Sequence, residues 1–446
     1  MIDLHAIVKA YDVRGLVATE LTPEVVWRLG AAAAQVLAKG RTEFAIGHDM
    51  RPSSPGLAGA FSEGVRSQGI GVIDVGLAST DELYYASGTL DVPAAMFTAS
   101  HNPPEYNGIK LCGPGAAPVS IDHGLAEIRD LAQQGMDPSG VLGGLRSVDL
   151  LADFAAHVRS FIDVDTLRPM TVAVDAGNGM AGLVVPAVFD ALPIEVVPLF
   201  FELDGTFPNH PANPLEPANL VDLQRAVVSG GLPLGMAFDG DADRMFAVDE
   251  RGRPVPSSLI TAVVADRVLA RSPGATILYN LICSRTVPET IEAAGGVAVR
   301  TRVGHSFIKA EMARTGAVFA GEHSGHYYFR DNFGADSGLI AALMLLQAVA
   351  IADAPLSAVV APYDRYAASG ELNFRVTDVV ATIDRLRDQF ADAKQDTEDG
   401  LTVVLGDGWF NLRPSNTEPL LRLNAEGDDV SAMERIRDQV TATVVG

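Results

Sequence analysis

A short apolar strand followed by a polar loop and a helical pattern occurs three times in this chain. The three stretches cover residues 44–49, 171–177 and 275–280. Strands that alternate with helices of this kind predict β-α-β units with parallel or mixed sheets. Their spacing of roughly 105–130 residues is too long for a solenoid repeat and favours tandem α/β domains of similar build.

Segments rich in glycine, proline and polar residues divide the chain into four parts. A linker covers residues 135–144, a tight turn covers 249–254, and a third boundary lies within 353–366. Beyond that boundary a smaller α+β module is expected, with strands at 371–376, 401–405, 409–412 and 420–424, a helix at 379–390 and a closing helix. The predicted domains are 1–140, 145–249 and 252–358, which are related α/β domains with mixed sheets, and 366–446, which is α+β.

The chain is strongly acidic, because its 446 residues include 56 acidic and 33 basic side chains for a net charge of −23. Such a surface repels phosphate backbones and anionic lipid, so neither nucleic acid nor a membrane is an expected partner. The longest apolar run, 339–352, is too short to span a bilayer, and the N-terminus has no secretory signal pattern. Cys112 and Cys283 form no CxxC motif and are expected to be buried reduced thiols. We therefore predict a cytoplasmic protein.

A loop at residues 98–103 reads TASHNP and follows an apolar strand. A serine exposed at a strand end can act as a nucleophile or carry a phosphoryl group, so Ser100 is a candidate for either role. Neighbouring side chains of an extended segment point to opposite sides, so a hydrolase-style pair of Ser100 and His101 is not expected within this loop. Lys110 offers a point charge suited to a phosphate. The alternative for this loop alone is a polar turn.

The strongest single signal is a loop with three alternating aspartates between two apolar strands, DGDADR. Period-two spacing brings Asp239, Asp241 and Asp243 to one side, where they would repel one another without a cation. A compact set of oxygen ligands favours Mg²⁺ or Ca²⁺. An EF-hand is excluded, because Arg244 stands where that loop requires glycine and because strands flank it. A solvated acidic turn is the alternative.

Two further loops carry polar groups suited to a sugar phosphate. The first reads GEHSGH, and its Glu322 and Ser324 present an acceptor and a donor on one side, which suits a pair of hydroxyls. The second reads RPSNTEP and collects a guanidinium, hydroxyls, an amide and backbone N–H groups into one phosphate cradle. Each loop alone could be an ordinary turn. The four loops together favour phosphoryl transfer on a sugar phosphate.

The motifs and their order resemble the α-D-phosphohexomutase superfamily, and within it the bacterial phosphomannomutase/phosphoglucomutase group. The resemblance covers nearly the whole chain and includes YDVRG at 11–15 and VGH at 303–305. The catalytic residues that it implies are Ser100, His101, Lys110, Arg14, Arg244 and His326. The substrate-binding residues that it implies are His305, Glu322, Ser324, Arg413, Ser415, Asn416 and Thr417. The metal ligands that it implies are Ser100, Asp239, Asp241 and Asp243, around Mg²⁺.

The resemblance also implies a reaction. Phosphoserine donates its phosphoryl group to a hexose monophosphate, and the hexose 1,6-bisphosphate turns over in one central cleft before its other phosphate returns to Ser100. Hexose 6-phosphate and hexose 1-phosphate are thereby interconverted, with mannose as the first expected sugar and glucose as a second. Small hexose phosphates are the expected partners of a monomer or weak homo-oligomer, and closure of the last domain is expected to enclose them.

Three positions depart from the family pattern and bear on substrate preference more than on reaction type. Ile282 stands where many relatives have lysine, which removes a charge contact to substrate unless Arg285 or another residue replaces it. Ser337 follows Asp336 where the family usually has a second acidic residue, and His323 stands where relatives often have Met or Gln.

Three alternatives remain open at this point. A phosphoglucosamine mutase shares the serine and metal loops, although relatives specialised for amino sugars usually have Asp-Arg where this chain has His305-Ser306. A metal-dependent sugar phosphatase would pass the phosphoryl group from Ser100 to water. A sugar-phosphate sensor would keep the cleft and lack turnover.

Overall fold

The computed structural model describes residues 3–414 and 420–445. These residues form four β-sheets that follow one another along the chain, each with helices packed against it. Each sheet with its helices is called a domain below, numbered one to four. The predicted fold class, three related α/β domains followed by a smaller α+β domain, is confirmed.

Domain one is built on a seven-stranded mixed sheet. Its strands are β1 Val13–Leu16, β2 Glu43–His48, β3 Gly71–Leu77, β4 Ala94–Phe97, β5 Tyr106–Gly113, β6 Ala117–Pro118 and β7 Leu145–Ser147. Its helices are α1 Leu4–Ile7, α2 Pro23–Leu37, α3 Ser54–Ser67, α4 Thr80–Leu90 and α5 Leu125–Gln134. The strand order is β1-β5-β4-β2-β3-β7, with β6 on β5. β4, β2, β3 and β7 are parallel, whereas β5 pairs antiparallel with both β4 and β1.

Domain two has a five-stranded sheet of order β12-β11-β10-β8-β9. Its strands are β8 Met170–Asp175, β9 Ile194–Leu199, β10 Leu234–Phe238, β11 Met245–Asp249 and β12 Pro254–Val255, and its helices are α6 Leu151–Arg159, α7 Ala181–Phe189 and α8 Val221–Gly230. β9, β8 and β10 are parallel, and β11 and β12 continue the sheet antiparallel.

Domain three repeats this arrangement with the strand order β14-β13-β15-β16-β17. Its strands are β13 Thr276–Asn280, β14 Val297–Thr301, β15 Phe319–Gly321, β16 Tyr327–Phe329 and β17 Ala335–Asp336. Its helices are α9 Ser257–Arg271, α10 Thr286–Ala293, α11 His305–Thr315, α12 Gly338–Ala352 and α13 Leu356–Val360. β14, β13 and β15 are parallel, and β16 and β17 are antiparallel.

Domain four is an antiparallel sheet of order β18-β22-β21-β20-β19 with two helices. Its strands are β18 Ala367–Phe374, β19 Lys394–Asp396, β20 Leu401–Leu405, β21 Gly408–Pro414 and β22 Leu421–Gly427, and its helices are α14 Val379–Gln389 and α15 Val430–Val445. The α+β pattern predicted for this part of the chain is confirmed, with β19 as an additional strand.

The related topology of the first three domains places their functional loops in equivalent positions. The serine loop joins β4 to β5, the aspartate loop joins β10 to β11, and the GEHSGH loop joins β15 to β16. In each case the loop leaves the carboxyl end of a parallel strand and enters its antiparallel neighbour. Ligands of α/β sheets bind at this edge, so the fold directs all three loops toward a common site.

Two short strands lie beyond the predicted domain limits. Leu145–Ser147, which the limits assign to domain two, pairs with β3 of the first sheet, and Pro254–Val255, assigned to domain three, pairs with β11 of the second. Limits drawn by sheet membership would therefore fall a few residues later at both points. The two strands contain only three and two residues, which is too short to give an alternating pattern.

The core is continuous between domains two and three, because the buried helix α12 packs with residues of both. Domain one contacts domain three where the ring of Phe333 covers Gly88 of α4; a Cβ on Gly88 would overlap that ring. Within residues 3–414 and 420–445 no helix is long and apolar enough to cross a membrane. Cys112 and Cys283 are both buried free thiols, as predicted.

Candidate active site

The buried guanidinium of Arg51 holds the serine loop in place through ion-pair and hydrogen-bond contacts. Arg51 makes an ion pair with Asp49 at 3.2 Å. It donates hydrogen bonds of 2.7–3.1 Å to four carbonyl oxygens, those of Ser100, Asn102, Pro103 and Tyr106. A planar fork with five donors can bind several carbonyl groups at once, which keeps the loop in one conformation.

The Ser100 hydroxyl faces domain two. Its Oγ donates to Asp239 Oδ2 at 2.5 Å and accepts from Arg244 Nη2 at 3.0 Å. Arg244 also donates to Asp239 Oδ2 from Nε and Nη2, at 2.9 and 2.7 Å. Ser100, Asp239 and Arg244 thus form one buried network that joins the first two domains.

The expectation that the side chains of Ser100 and His101 point to opposite sides is wrong, although they do not form a hydrolase-style pair. Ser100 takes a left-handed conformation with φ of 51°, which turns the chain and brings His101 Nδ1 to 3.3 Å from Ser100 Oγ. Arg244 Nη2 lies 2.6 Å from the same Nδ1. Because a guanidinium only donates, Nδ1 must accept, so the imidazole is neutral and cannot take the serine proton through this atom. Burial, with Arg244 and Arg14 nearby, lowers the pKa of His101 well below its usual value.

The aspartate loop brings its three carboxylates together as the spacing predicts. Single oxygens of Asp239, Asp241 and Asp243 lie within 4.8 Å of one another, and all three residues are buried. Lys110 Nζ lies 2.6 Å from Asp241 Oδ2 and 2.5 Å from Asp243 Oδ2. Lys110 therefore contacts the aspartate loop rather than standing free beside Ser100.

Two buried oxygens of this cluster lack a hydrogen bond. Within the described part of the chain, Asp241 Oδ1 and Asp243 Oδ1 have no donor. Buried carboxylate oxygens are costly unless hydrogen-bonded or bound to a cation. The donor set, carboxylate oxygens with a serine hydroxyl beside them, fits a divalent cation such as Mg²⁺.

The protonation of the three aspartates is uneven. Burial raises the pKa of Asp239 to about 7. Burial also raises the pKa of Asp243, and the charge of Asp241 adds to this rise. Burial alone would raise the pKa of Asp241 as well, but Lys110 outweighs it and holds that pKa well below its usual range. Asp241 is therefore the carboxylate most firmly held as an anion.

The glycine of the aspartate loop permits close contact with the serine loop. A Cβ on Gly240 would overlap the carbonyl oxygen of Ser100. Only a residue without a side chain lets the two loops approach this closely.

The GEHSGH loop presents His326 to the aspartates. Its Nδ1 lies 3.0 Å from Ser324 Oγ, and its Nε2 lies 3.8 Å from Asp243 Oδ1 and 4.0 Å from Asp336 Oδ2. Glu322 Oε1 lies 3.9 Å from His326 Nδ1. The two predicted sugar-binding residues, Glu322 and Ser324, therefore both lie next to the His326 ring. Glu322 also accepts from Tyr328 OH at 2.5 Å and from Asn280 Nδ2 at 3.2 Å, which fixes its carboxylate.

Residues of domain one hold two further predicted site residues, Arg14 and His305. Arg14 forms an ion pair with Asp12 at 2.7 Å and also donates to Asn102 of the serine loop. Burial opposes the Arg14 charge, but Asp12 outweighs it and raises the pKa of Arg14. The His305 ring packs edge-on against Tyr11 at 4.3 Å, and burial lowers the pKa of His305 to about 3.

The phosphate cradle is described only at its edge. Arg413 Nη2 lies 3.4 Å from Glu371 Oε2, and Arg422 Nη1 lies 3.1 Å from Glu371 Oε1. Glu371 thereby orders both guanidinium groups beside the cradle. Ser415, Asn416 and Thr417 lie outside the described residues.

The three departures from the family pattern have distinct surroundings. Ile282 is buried against Trp409 of domain four, so an apolar contact occupies the place of a charge. Arg285 does not replace that charge, because it binds Glu426 at 3.0 Å and Asp428 at 2.8 Å. His323 is partly buried, and burial lowers its pKa.

Ser337 donates to a carboxylate from another domain. Its Oγ lies 2.7 Å from Asp81 Oδ2 of α4. Position 337, where the family pattern has a second acidic residue, is thus in contact with an acidic residue of domain one.

Sequence reasoning missed Arg51, Thr80 and Lys309. Arg51 stands two residues after Asp49 at the end of a predicted strand, and that position is the only local signal it gives. Thr80 Oγ1 donates to Asp241 Oδ2 at 2.6 Å, and Lys309 Nζ lies 3.4 Å from Asp336 Oδ1. Neither contact has a local signal, since the partners are far apart in the chain.

The arrangement collects the groups that phosphoryl transfer needs. A buried serine hydroxyl lies beside a carboxylate cluster suited to a cation, with Arg244 and Lys110 to stabilise negative charge and His326 at the rim. Positioning and charge stabilisation carry most of the catalysis in such reactions.

Four family models match the chain in order. They are described as phosphoglucomutase/phosphomannomutase α/β/α domain I, domain II, domain III and C-terminal domain, and they match residues 5–138, 152–252, 256–366 and 371–443. The chain belongs to the phosphoglucomutase/phosphomannomutase family. The predicted family resemblance is thus confirmed.

Relatives of this family match over nearly their whole length. A phosphomannomutase of Salmonella montevideo is 38% identical over 441 residues, with 96% of each chain covered. A phosphomannomutase/phosphoglucomutase of Pseudomonas aeruginosa is 37% identical over 439 residues, with 97% of this chain and 94% of the relative covered. A crystal structure of a phosphoglucomutase/phosphomannomutase family protein from Burkholderia thailandensis superposes with a TM-score of 0.90 at 33% identity, covering 99% and 97%.

This family member is a hexose-phosphate mutase, a phosphotransferase enzyme. The family is metal-dependent, and the buried aspartates of this chain form a set able to bind a metal. Phosphoglucosamine mutase is only a distant relation.

Proposed function

We propose that the enzyme interconverts mannose 6-phosphate and mannose 1-phosphate, and the corresponding glucose phosphates, through phosphorylated Ser100 and a hexose 1,6-bisphosphate. The P–O bond to Ser100 Oγ breaks as a bond forms to a sugar hydroxyl, and the hydroxyl proton leaves. After the bisphosphate turns over, the P–O bond of its other phosphate to the sugar breaks as a bond forms to Ser100 Oγ. The serine hydroxyl loses its proton, and the sugar oxygen receives one returned from the site. The serine is therefore phosphorylated again at the end of each cycle.

The observation that carries the proposal is the position of Ser100 Oγ. It lies 2.5 Å from Asp239 and 3.0 Å from Arg244 in a buried network. This arrangement supports transfer to and from Ser100, because Arg244 is already directed at the atom where charge develops. We propose that Arg244, His101 and Lys110 together surround the phosphoserine.

The aspartate loop supports binding of Mg²⁺. Asp239, Asp241, Asp243 and Ser100 would hold it, with Asp241 Oδ1 and Asp243 Oδ1 as oxygens that lack a donor in the described chain. A bound Mg²⁺ would supply positive charge that neutralises the transferring phosphoryl group. Lys110, within 2.6 Å of two of the carboxylates, limits their mutual repulsion.

His326 is better placed than Arg14 to accept the proton of the sugar hydroxyl. Arg14 is paired with Asp12 and remains protonated, so it can stabilise charge but cannot accept a proton. His326 Nδ1 faces Ser324 Oγ at 3.0 Å, on the side of the proposed sugar hydroxyls. Glu322, Ser324 and His305 would bind the sugar in either orientation, and Arg413 with Ser415, Asn416 and Thr417 would hold the phosphate that is not reacting.

Further features agree with a metabolic enzyme that acts on small molecules in the cytoplasm. The buried free thiols Cys112 and Cys283 suit a reducing compartment. We propose a monomer or weak homo-oligomer.

The test is the phosphorylation state of Ser100. Intact-mass measurement of the purified enzyme should find one phosphate, and hexose monophosphate should remove it. Ser100→Ala should lack this phosphate and lose isomerisation even with added hexose 1,6-bisphosphate. Near wild-type turnover by Ser100→Ala would refute the proposal.

A product assay with hexose 6-phosphate separates the mutase from a sugar phosphatase. A mutase releases hexose 1-phosphate and little inorganic phosphate, whereas a phosphatase would release inorganic phosphate at the rate at which hexose 6-phosphate disappears. Comparison of kcat/KM for mannose 1-phosphate, glucose 1-phosphate and glucosamine 1-phosphate ranks the sugars. Glucosamine 1-phosphate is expected last, because relatives more than a third identical over nearly the full chain carry phosphomannomutase and phosphoglucomutase names.

A further inference from the structure

The first turn of α4 reaches from domain one into both neighbouring domains. Thr80 donates from Oγ1 to Asp241 Oδ2 at 2.6 Å and from its backbone N–H to the Asp241 carbonyl at 3.1 Å. The next residue, Asp81, accepts from Ser337 Oγ of domain three at 2.7 Å. This turn therefore contacts the aspartate loop and the start of α12 at once.

The contact with Asp241 is sealed from water. Both Thr80 and Asp241 have no exposed surface. A buried carboxylate that loses a donor cannot recover it from solvent, so the orientation of Asp241 depends on the groups that contact it.

The two oxygens of Asp241 have different surroundings. Oδ2 accepts from Thr80 and from Lys110, each at 2.6 Å, whereas Oδ1 has no donor among the residues that the structure describes. Because Oδ2 is held by a hydroxyl on a helix, the orientation of the carboxylate is fixed, and Oδ1 is the oxygen left for a cation. Such outer contacts set the orientation of a metal ligand and with it the metal affinity.

The residues on either side of Thr80 are held by hydrogen bonds. Ser79 caps α4 by accepting from the N–H of Glu82 at 3.3 Å, and it donates to Asp81 at 2.5 Å. Ser337, which donates to Asp81, also caps α12 by accepting from Ile340 N–H at 3.2 Å. The N-terminal turns of two helices from different domains are thus joined through one carboxylate.

We propose that Thr80 is a positioning residue for the metal ligand Asp241, so that domain one sets the cation affinity of a loop that belongs to domain two. The inference rests on the proposed function, because it assumes that the aspartate loop binds a divalent cation. In this role Thr80 acts through its contacts with Asp241 and not as a ligand of the cation.

The test compares the Mg²⁺ affinity of full-length Thr80→Val and Thr80→Ser by isothermal titration calorimetry. Valine keeps the shape of threonine and removes the donor, so its Kd for Mg²⁺ should rise about 10–100-fold. Serine keeps the hydroxyl, so its Kd should stay within about threefold of the wild type. Thr89→Val is the matched control, because Thr89 lies on the same helix, is exposed and donates only within α4. Its Kd should be unchanged.

The outcomes separate the inference from the proposed function. If the wild type binds Mg²⁺ and Thr80→Val binds it equally well, the inference is wrong while the metal site stands. If the wild type binds no Mg²⁺ and no Mn²⁺, the proposed metal site is wrong and the inference fails with it. If Thr80→Val does not fold, Thr80→Cys replaces it and is judged by whether its Kd exceeds that of Thr80→Ser.

A second readout distinguishes positioning from a general loss of structure. The Mg²⁺ concentration at which Thr80→Val reaches half its maximal rate should rise with the Kd, while KM for hexose phosphate at saturating Mg²⁺ should stay near the wild-type value. A rise in KM without a change in Mg²⁺ dependence would overturn the inference.

Discussion

Replacement of Gly240 by alanine tests whether contact between the serine and aspartate loops sets the reacting geometry. A Cβ at this position would lie 3.2 Å from the carbonyl carbon of Ser100 and closer still to its oxygen. The backbone here is not left-handed, so alanine adds bulk without backbone strain. Ordinary contact requires the two loops to separate by about 1 Å, and a shift of that size at reacting groups costs roughly 100-fold in rate.

The assay is kcat for mannose 1-phosphate at saturating Mg²⁺, with thermal unfolding to confirm the fold. Gly240→Ala should lose about 100-fold in kcat while it still unfolds cooperatively. Gly59→Ala on the exposed face of α3 is the control, because a Cβ there would meet no atom within 4 Å. It should keep wild-type activity. A folded Gly240→Ala that retains more than about a third of wild-type kcat would refute the argument from loop contact.

Two further variants test stability. Burial, with the charge of Asp81, raises the pKa of Glu82 to about 8, so the folded protein keeps a proton that the unfolded chain releases near pH 4. The stability that this group contributes is complete at low pH and is lost as the pH rises through 8, by on the order of 4 kcal/mol. In urea unfolding between pH 5 and 8, the free energy of unfolding of Glu82→Gln should therefore fall less with pH than that of the wild type. An equal fall for the two proteins would contradict this prediction. Ile282→Ala should remove packing against Trp409, lower stability by about 2–5 kcal/mol and shift tryptophan emission to the red. Val380 is 69% exposed, so Val380→Ala should change neither the stability nor the tryptophan emission. If Ile282→Ala behaves like Val380→Ala, the contact between Ile282 and Trp409 contributes nothing to stability.

Local patterns predicted the elements that position the site. The three strand-loop-helix stretches are β2, β8 and β13, each of which pairs with a parallel strand on both sides. Alternation of apolar residues and the polar loops that follow are properties of short segments, so they can be seen without the fold. In domain four, by contrast, β19 has the sequence Lys-Gln-Asp, which has no apolar residue to indicate a strand.

Contacts between distant segments could not be predicted in the same way. The orientation of His101 depends on the left-handed turn at Ser100, which Arg51 supports from 49 positions earlier in the chain. Thr80 and Asp241 are 161 positions apart, and nothing in either sequence segment indicates that they are in contact. Such contacts depend on how whole domains pack together. The residue types of one short segment do not determine that packing.

The active-site residues come from successive domains, so the site is assembled in steps as the chain is synthesised. Domain one, with Ser100, leaves the ribosome before the aspartate loop exists, and domains fold as units from the N-terminus. At that stage Ser100 lacks Asp239 and Arg244, and the first turn of α4 still awaits both the loop it contacts and Ser337. An unfinished chain therefore contains the serine without these partners, and the contacts of the centre are complete only when the later domains have docked.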